Sequence, residues 1–248
     1  MKSVLLVQAA SLSALPFWYP FYAIALKQKY RLTTSNPFAH KREYFRGLRL
    51  TLCLQPLYPL LFKLNETINE CLGLDKHATL SQSISSLSSG VVSVLVANPY
   101  EVILIDMQKN KVNARMAASR IYYKRGILGF YRGYLFMMLR NSVFCWGLLG
   151  IYPQIKEYID NTRFQVISPL IAGIVPAIMR TSIMPLDLGA VLKQADQTIK
   201  PKSYFQGLKM AYRKHGIFGY FISTKYTFLM TFTEMLLFHQ FLKLYSRE

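Results

Sequence analysis

The sequence predicts an all-α membrane protein: six transmembrane helices in three related repeats, joined on one side by basic connectors with short surface helices. Three observations predict it. Two charge-free runs, Ser3–Leu26 with 24 residues and Ala78–Tyr100 with 23, are each long enough to cross a hydrocarbon core as a helix. Of the 248 residues, 52% are hydrophobic and 17% charged, against about 25% charged in ordinary soluble domains. Prolines and aromatic phrases also recur at a near-constant spacing along the chain.

Ser3–Leu26 is the first span. Lys2 ahead of an apolar stretch resembles a secretory signal, but Pro16, Pro20 and the aromatics Phe17, Trp18, Tyr19 and Phe21 argue for a membrane helix, with which the chain is expected to begin. Leu50–Phe62 supplies the second span and Ala78–Tyr100 the third. Asn141–Ile155 and Phe164–Met179 supply the fourth and fifth. The sixth, Tyr226–Leu242, is interrupted only by Glu234 and His239. Six serines between Ser81 and Gly90 suit close helix packing by small side chains. Short surface helices are expected near residues 112–123 and 202–214.

Pro20, Pro99 and Pro185 close three apolar stretches, separated by 79 and 86 residues. After each comes a basic connector, an aromatic phrase and another apolar segment. The phrases are Tyr44-Phe45-Arg46-Gly47, Phe130-Tyr131-Arg132-Gly133 and Gly219-Tyr220-Phe221-Ile222-Ser223. The chain therefore reads as one membrane domain, 1–248, in three repeats: 1–72, 73–160 and 161–248. Six spans put both termini on the same side.

Composition excludes several functions. Cys53, Cys71 and Cys145 are too few and too apolar in setting for a disulfide framework. His40, His77, His215 and His239 are scattered, so no metal site is expected, and no catalytic triad or phosphate loop stands out. The chain reads as no enzyme. A net charge of +18 would suit nucleic acid, but the cations cluster in the connectors Lys27–Arg49, Lys109–Arg125 and Lys200–Lys214. Connectors on one face read as a surface for anionic lipid, with no nucleic-acid partner.

These residues resemble the mitochondrial carrier family. Its repeats open with Pro-x-[Asp/Glu]-x-x-[Lys/Arg] and a Gln four residues further on. Repeat two has Pro99, Glu101 and Gln108; repeat three has Pro185, Asp187 and Gln194; repeat one has Pro20, with Tyr22 at the acidic place and Lys29 at the Gln place. The second signature is whole at Gly126–Gly133, and the matrix-helix phrase aromatic-x-Gly appears as Phe205-Gln206-Gly207. The resemblance implies a multi-pass protein of the mitochondrial inner membrane, with both termini facing the intermembrane space. It also implies bound cardiolipin, held by Tyr131, Arg132 and Gly133 with Phe205 and Gly207, and at an eroded second place by Phe45, Arg46 and Gly47. No other cofactor is implied.

In the family, acid and base beside each kink pair between repeats and close the matrix side of a central cavity. Here the basic places are Ala25, Leu104 and Ala190, so Glu101 and Asp187 have no family-type partner and are expected to bond Gln, Tyr, water or a stray cation such as Lys193. On the even helices, Tyr152-Pro153 and Phe238-His239 carry no second gate of the family kind. Arg140-Asn141 resembles the pair by which carriers of carboxylates and keto acids hold an anion. Arg140 either does so or pairs with Glu101, Asp187, a lipid or a partner; Arg180 leaves the same alternatives open.

The lead expectation is a carrier-fold protein that has lost transport and serves as an accessory subunit of a respiratory-chain or ATP synthase assembly. Trp18 and Tyr19 would then face a partner in that large complex. The competing expectation is a divergent transporter of a small anionic metabolite, a carboxylate or keto acid.

Overall fold

The computed structural model describes residues 2–31, 45–71, 79–160, 168–195 and 204–245. In order they form α1 (Lys2–Arg31), α2 (Leu48–Leu52), α3 (Leu57–Cys71), α4 (Thr79–Asn110), α5 (Ala114–Arg125) and α6 (Tyr134–Cys145). Then come α7 (Tyr152–Asp160), α8 (Ser168–Ser182), α9 (Met184–Ala195), α10 (Tyr204–His215) and α11 (Thr224–Tyr245). No strand occurs among the described residues. The two expected surface helices are α5 and α10, each running into a 3₁₀ turn, Ile127–Tyr131 and Gly216–Phe221.

Three segments among the described residues are long and apolar enough to cross a membrane: Leu6–Arg31, Leu80–Asn110 and Ile127–Ile155. A fourth arises if Gly173–Ser182 and Met184–Ala195, bent by 66°, form one span. The second expected span is interrupted, because the chain leaves α2 at Cys53 and re-enters helix only after Pro56. The described segments pack in sequence: α1 on α3, α3 on α4, α4 on α6, α7 on α8, α8 on α11, and α11 back on α1. Ser13 and the Tyr245 hydroxyl meet at 2.9 Å, so the first half of α1 lies beside the end of α11.

The three repeat prolines differ in local effect. Pro20 and Pro99 lie inside continuous helices, where each removes one backbone donor. Pro185 is the second residue of α9, a position where its missing N–H costs nothing. The break at Ile183, whose carbonyl accepts from Leu186 and Asp187 at 3.0 and 3.2 Å, turns the chain there. Asp187 thus stands in the first turn of α9, where the helix dipole favours a carboxylate.

Small residues bring α4 against α6. Ser85, Ser86, Ser89 and Ser93 are buried, and the Ser86, Ser89 and Ser93 hydroxyls donate to carbonyls of their own helix. A Cβ on Gly90 would stand 2.6 Å from the Ser142 Cα. Asn141 adds bonds from its Nδ2 to the Gly90 carbonyl at 3.3 Å and to Ser93 Oγ at 2.7 Å.

The aromatics of α1 do not face outward as expected. Trp18 and Tyr19 are buried, packed with Leu15 and Ala23 against Met230, Leu237 and Phe241 of α11. Tyr19 also donates to the Arg46 carbonyl at 2.6 Å. The helix turns this stripe toward the interior, and Phe17 is the exposed ring. Pro20 to Gly47 spans 27 residues against 34 from Pro99 to Gly133, a shortening that the resemblance places in the first matrix helix; residues 32–44 lie outside the described residues.

Gly90→Leu tests the close crossing. Because the clash is with backbone, the helices must separate, and the variant should lose about 1–3 kcal/mol of stability. Thermal unfolding in detergent, compared with Leu95→Ala on an exposed face of the same helix, measures it.

Candidate functional site

The odd helices converge on apolar rather than ionic contacts. The family's basic places, Ala25, Leu104 and Ala190, are all buried. Leu26, Leu104, Ile105, Val191 and Ala195 form one cluster, with Tyr22, Tyr30 and Leu50 against it. A second apolar cluster joins α6, the π-helical turn Trp146–Ile151, α3 and α11 through Phe144, Cys145, Leu148, Leu149, Met235, Leu61 and Phe62. Phe62 stacks on Phe238, and the Tyr152 hydroxyl meets His239 Nδ1 at 3.2 Å.

Four charged residues form a linked series that runs through the helices. Arg140 on α6 donates from Nη2 to Glu101 Oε1 on α4 at 2.8 Å and from Nη1 to Asp187 Oδ1 on α9 at 2.9 Å. Lys29 at the end of α1 donates to the other oxygen of Asp187. The side chains of Lys29, Arg140 and Asp187 are each at most 6% exposed, and Glu101 is 13% exposed. The order is cation, anion, cation, anion, drawn from all three repeats. Charges this far from water persist only when paired, because the desolvation cost per ion is several kcal/mol.

Several expectations are corrected here. Glu101 and Asp187 are not left to Gln, Tyr or Lys193; they bond Arg140 and Lys29. Of the alternatives left open for Arg140, pairing with Glu101 and Asp187 is the one found, with a carboxylate at each end of its fork. Asn141 is spent on the α4–α6 crossing. Lys29 is the residue whose role sequence reasoning missed. It lies nine residues after Pro20, the offset at which the sister repeats place Gln108 and Gln194, so a cation in a glutamine register was the signal. Its long stem lets it reach Asp187 from that lower position.

The two glutamines tie backbone and neighbouring helices. Gln108 Nε2 donates to the Arg46 carbonyl at 3.5 Å, and Gln194 Nε2 donates to Asn98 Oδ1 at 3.0 Å. The expected lipid phrases meet α9 from two sides. Gly133, at φ +75°, opens α6 beside Ala190 and Gln194, and Gly207 of α10 lies against Leu192. Tyr131 and Phe205 are exposed beside them, and Arg132 is buried. At the corresponding first-repeat turn, Gly47 has φ +92° and sits against Leu104, with Phe45 exposed and the Arg46 carbonyl engaged by Tyr19. Among the described residues no group of His, Cys, Asp and Glu could hold a metal ion.

Residues 75–163 match the family model described as mitochondrial carrier protein. The mitochondrial 2-oxodicarboxylate carrier of Mus musculus is 26% identical over 150 residues, covering 54% of this chain and 50% of the relative. Its counterpart from Homo sapiens is 24% identical over 157 residues, covering 56% and 52%. The chain spans about half the length of these curated relatives. Over residues 75–163 the chain is thus similar to the mitochondrial carrier family, and over about half of its length to carriers of that kind.

Replacing Arg140 by Met strands Glu101 and leaves Asp187 with Lys29 alone. Such a change should cost about 3–5 kcal/mol. The pair Arg140→Met with Glu101→Gln should recover part of that loss, because the carboxylate stripped of its cation is then neutral. Unfolding midpoints of the two variants in detergent decide it.

Proposed function

We propose that this chain carries a small carboxylate anion, a dicarboxylate or 2-oxo acid, across the mitochondrial inner membrane by alternating access. In this reading six helices in three repeats surround the path, with both termini toward the intermembrane space. The observation that most supports it is the linked series Lys29–Asp187–Arg140–Glu101. A carrier must hold its repeats together on one side and release them when substrate arrives. Buried ion pairs between repeats can do both. They are stable while complete, and an entering anion competes with their carboxylates for the cations.

The relatives at 24–26% identity are 2-oxodicarboxylate carriers, which supports an anionic substrate of that class. The accessory-subunit expectation rested on missing gate pairs, and it implied that Trp18 and Tyr19 face a partner. Pairs are present by another route and both rings are buried, so transport is the reading carried forward. Cardiolipin at the Tyr131–Gly133 and Phe205–Gly207 phrases belongs to the same proposal. Two helix starts flanking α9 offer free N–H groups to its phosphates.

Reconstitution tests the function. The purified chain, in liposomes containing cardiolipin and preloaded with 2-oxoglutarate, should take up labelled 2-oxoglutarate in a saturable way, and Asp187→Asn should abolish the uptake. Uptake by the wild type no faster than by empty liposomes would refute the transporter.

A further inference from the structure

Beside the surface helix of repeat two, α4, α5, the turn Ile127–Tyr131 and α9 border a cleft of about 280 Å³. Three cations line it, Lys124, Arg125 and Arg132, together with Gln194 and the apolar Val102 and Ile121. The backbone brings them there. Gly126, at φ +63°, ends α5 with its N–H donating to the Tyr122 carbonyl at 2.7 Å, and the chain folds back through the 3₁₀ turn. A Cβ on Gly129 would stand 2.9 Å from Ile121 and 3.0 Å from the Arg125 Cβ, so turn and helix touch. Arg132 follows that turn and is buried.

The α5 dipole favours Lys124 and Arg125 in its last turn, but it does not account for Arg132, which enters from the start of α6. Carboxylates near the group are few. Asp106 on α4 lies one turn past Val102, where its Oδ1 accepts from Asn110 at 2.5 Å and its Oδ2 stands 3.8 Å from Arg120 Nη1. Its charge also acts on Lys124. Counting Asp106 and granting Arg132 one further carboxylate, the four cations Arg120, Lys124, Arg125 and Arg132 still exceed the anions by two. Neither Lys124 nor Arg125 makes an ion pair among the described residues, and Arg125 Nη2 and Gln194 Oε1 are buried without a hydrogen-bond partner there. Repeat three turns in the same way at Gly216, also at φ +63°, but six places on it has Ile222, packed with Leu188 and Ala211. The facing guanidiniums are thus particular to repeat two in this comparison.

We propose that Lys124, Arg125 and Arg132 form a binding site for one phosphate group, brought by a lipid headgroup or by free phosphate. The site does not depend on the transporter reading. It also differs from the proposed cardiolipin site, which uses backbone N–H groups at helix starts, because its donors are side chains. Water in the cleft can solvate these cations, but only an anion offsets their charge. Phosphate oxygens accept from several donors at once, and a guanidinium edge grips two of them with parallel bonds. Gln194 Oε1 adds an acceptor at the same place. That acceptor suits inorganic phosphate or a singly charged phosphate monoester, whose remaining hydroxyl can donate to it, over a carboxylate that is acceptor-only when ionised.

The test reads the unfolding temperature of the full chain in neutral detergent, at constant ionic strength so that screening is held fixed. The probes are potassium phosphate, against potassium chloride, and phosphatidic acid, against phosphatidylcholine. At about ten times its Kd a bound probe should raise the wild-type midpoint by about 3–6 °C. Lys124→Gln, a change at an exposed residue, should reduce that shift, and Arg125→Gln should abolish it. Arg125→Glu supplies a carboxylate from the chain itself, so it should unfold above the wild type in phosphate-free buffer and ignore both probes. A shift with phosphatidic acid alone identifies a lipid headgroup as the source, and a shift with inorganic phosphate identifies the phosphate group itself. No shift with either probe, or equal shifts in wild type, Lys124→Gln and Arg125→Gln, overturns the site. A folded Arg125→Glu that still responds like the wild type overturns it as well; should that variant not fold, the two glutamine variants decide.

Discussion

Placing ionised side chains inside a membrane bundle constrains everything else in this molecule. Each must find a partner, and each partner comes from a different helix, so satisfying the charges fixes how the helices stand. Arg140 can reach Glu101 and Asp187 together only if α4 and α9 present their kink regions to α6 at the same depth. The break at Ile183 delivers Asp187 to that depth, and the Gly90–Ser142 approach delivers Arg140. Lys29 then draws in α1. Four side chains thereby set the relation among repeats, alongside hydrogen bonds such as Gln108 to the Arg46 carbonyl and Gln194 to Asn98, while the apolar packing around them is non-directional.

This arrangement shows how a chain that resembles the carriers can lack their signature pairs and keep the physics of those pairs. Leu104, Ala25 and Ala190 have turned the place of the basic residues into apolar contact, and the carboxylates that remained have been served by cations from elsewhere. One comes from an even helix and one from the glutamine register of repeat one. A charge layer accompanied by two apolar clusters results, with one cluster drawn from the odd helices and the other from the even ones.

Much of the architecture was legible in the sequence, because length of apolar run, proline period and aromatic-Gly phrases are local signals. The surface helices came out at Ala114–Arg125 and Tyr204–His215, within two residues of the expected ranges. What was not legible depends on three-dimensional reach. A motif assigns a partner by offset along one helix, but Lys29 reaches Asp187 across 158 positions of chain. The direction of Trp18 and Tyr19 likewise depends on where the helix bends, since a small rotation moves a ring from lipid to interior. Arg140 was recognisable as an internal cation with Glu101 and Asp187 among its candidate partners, but that it holds both at once became visible only when α4, α6 and α9 were placed together.

The central claim is that Lys29 and Asp187 are energetically joined across repeats one and three. A double-mutant cycle with Lys29→Met, Asp187→Asn and the combination, read as unfolding free energies in detergent, tests it most directly. The account predicts that the double variant loses less stability than the sum of the single losses, by about 0.5–3 kcal/mol, because the second change removes a group already left unpaired. Losses that simply add would show that the two residues do not act on each other, and the charge layer would then not be what holds the repeats together.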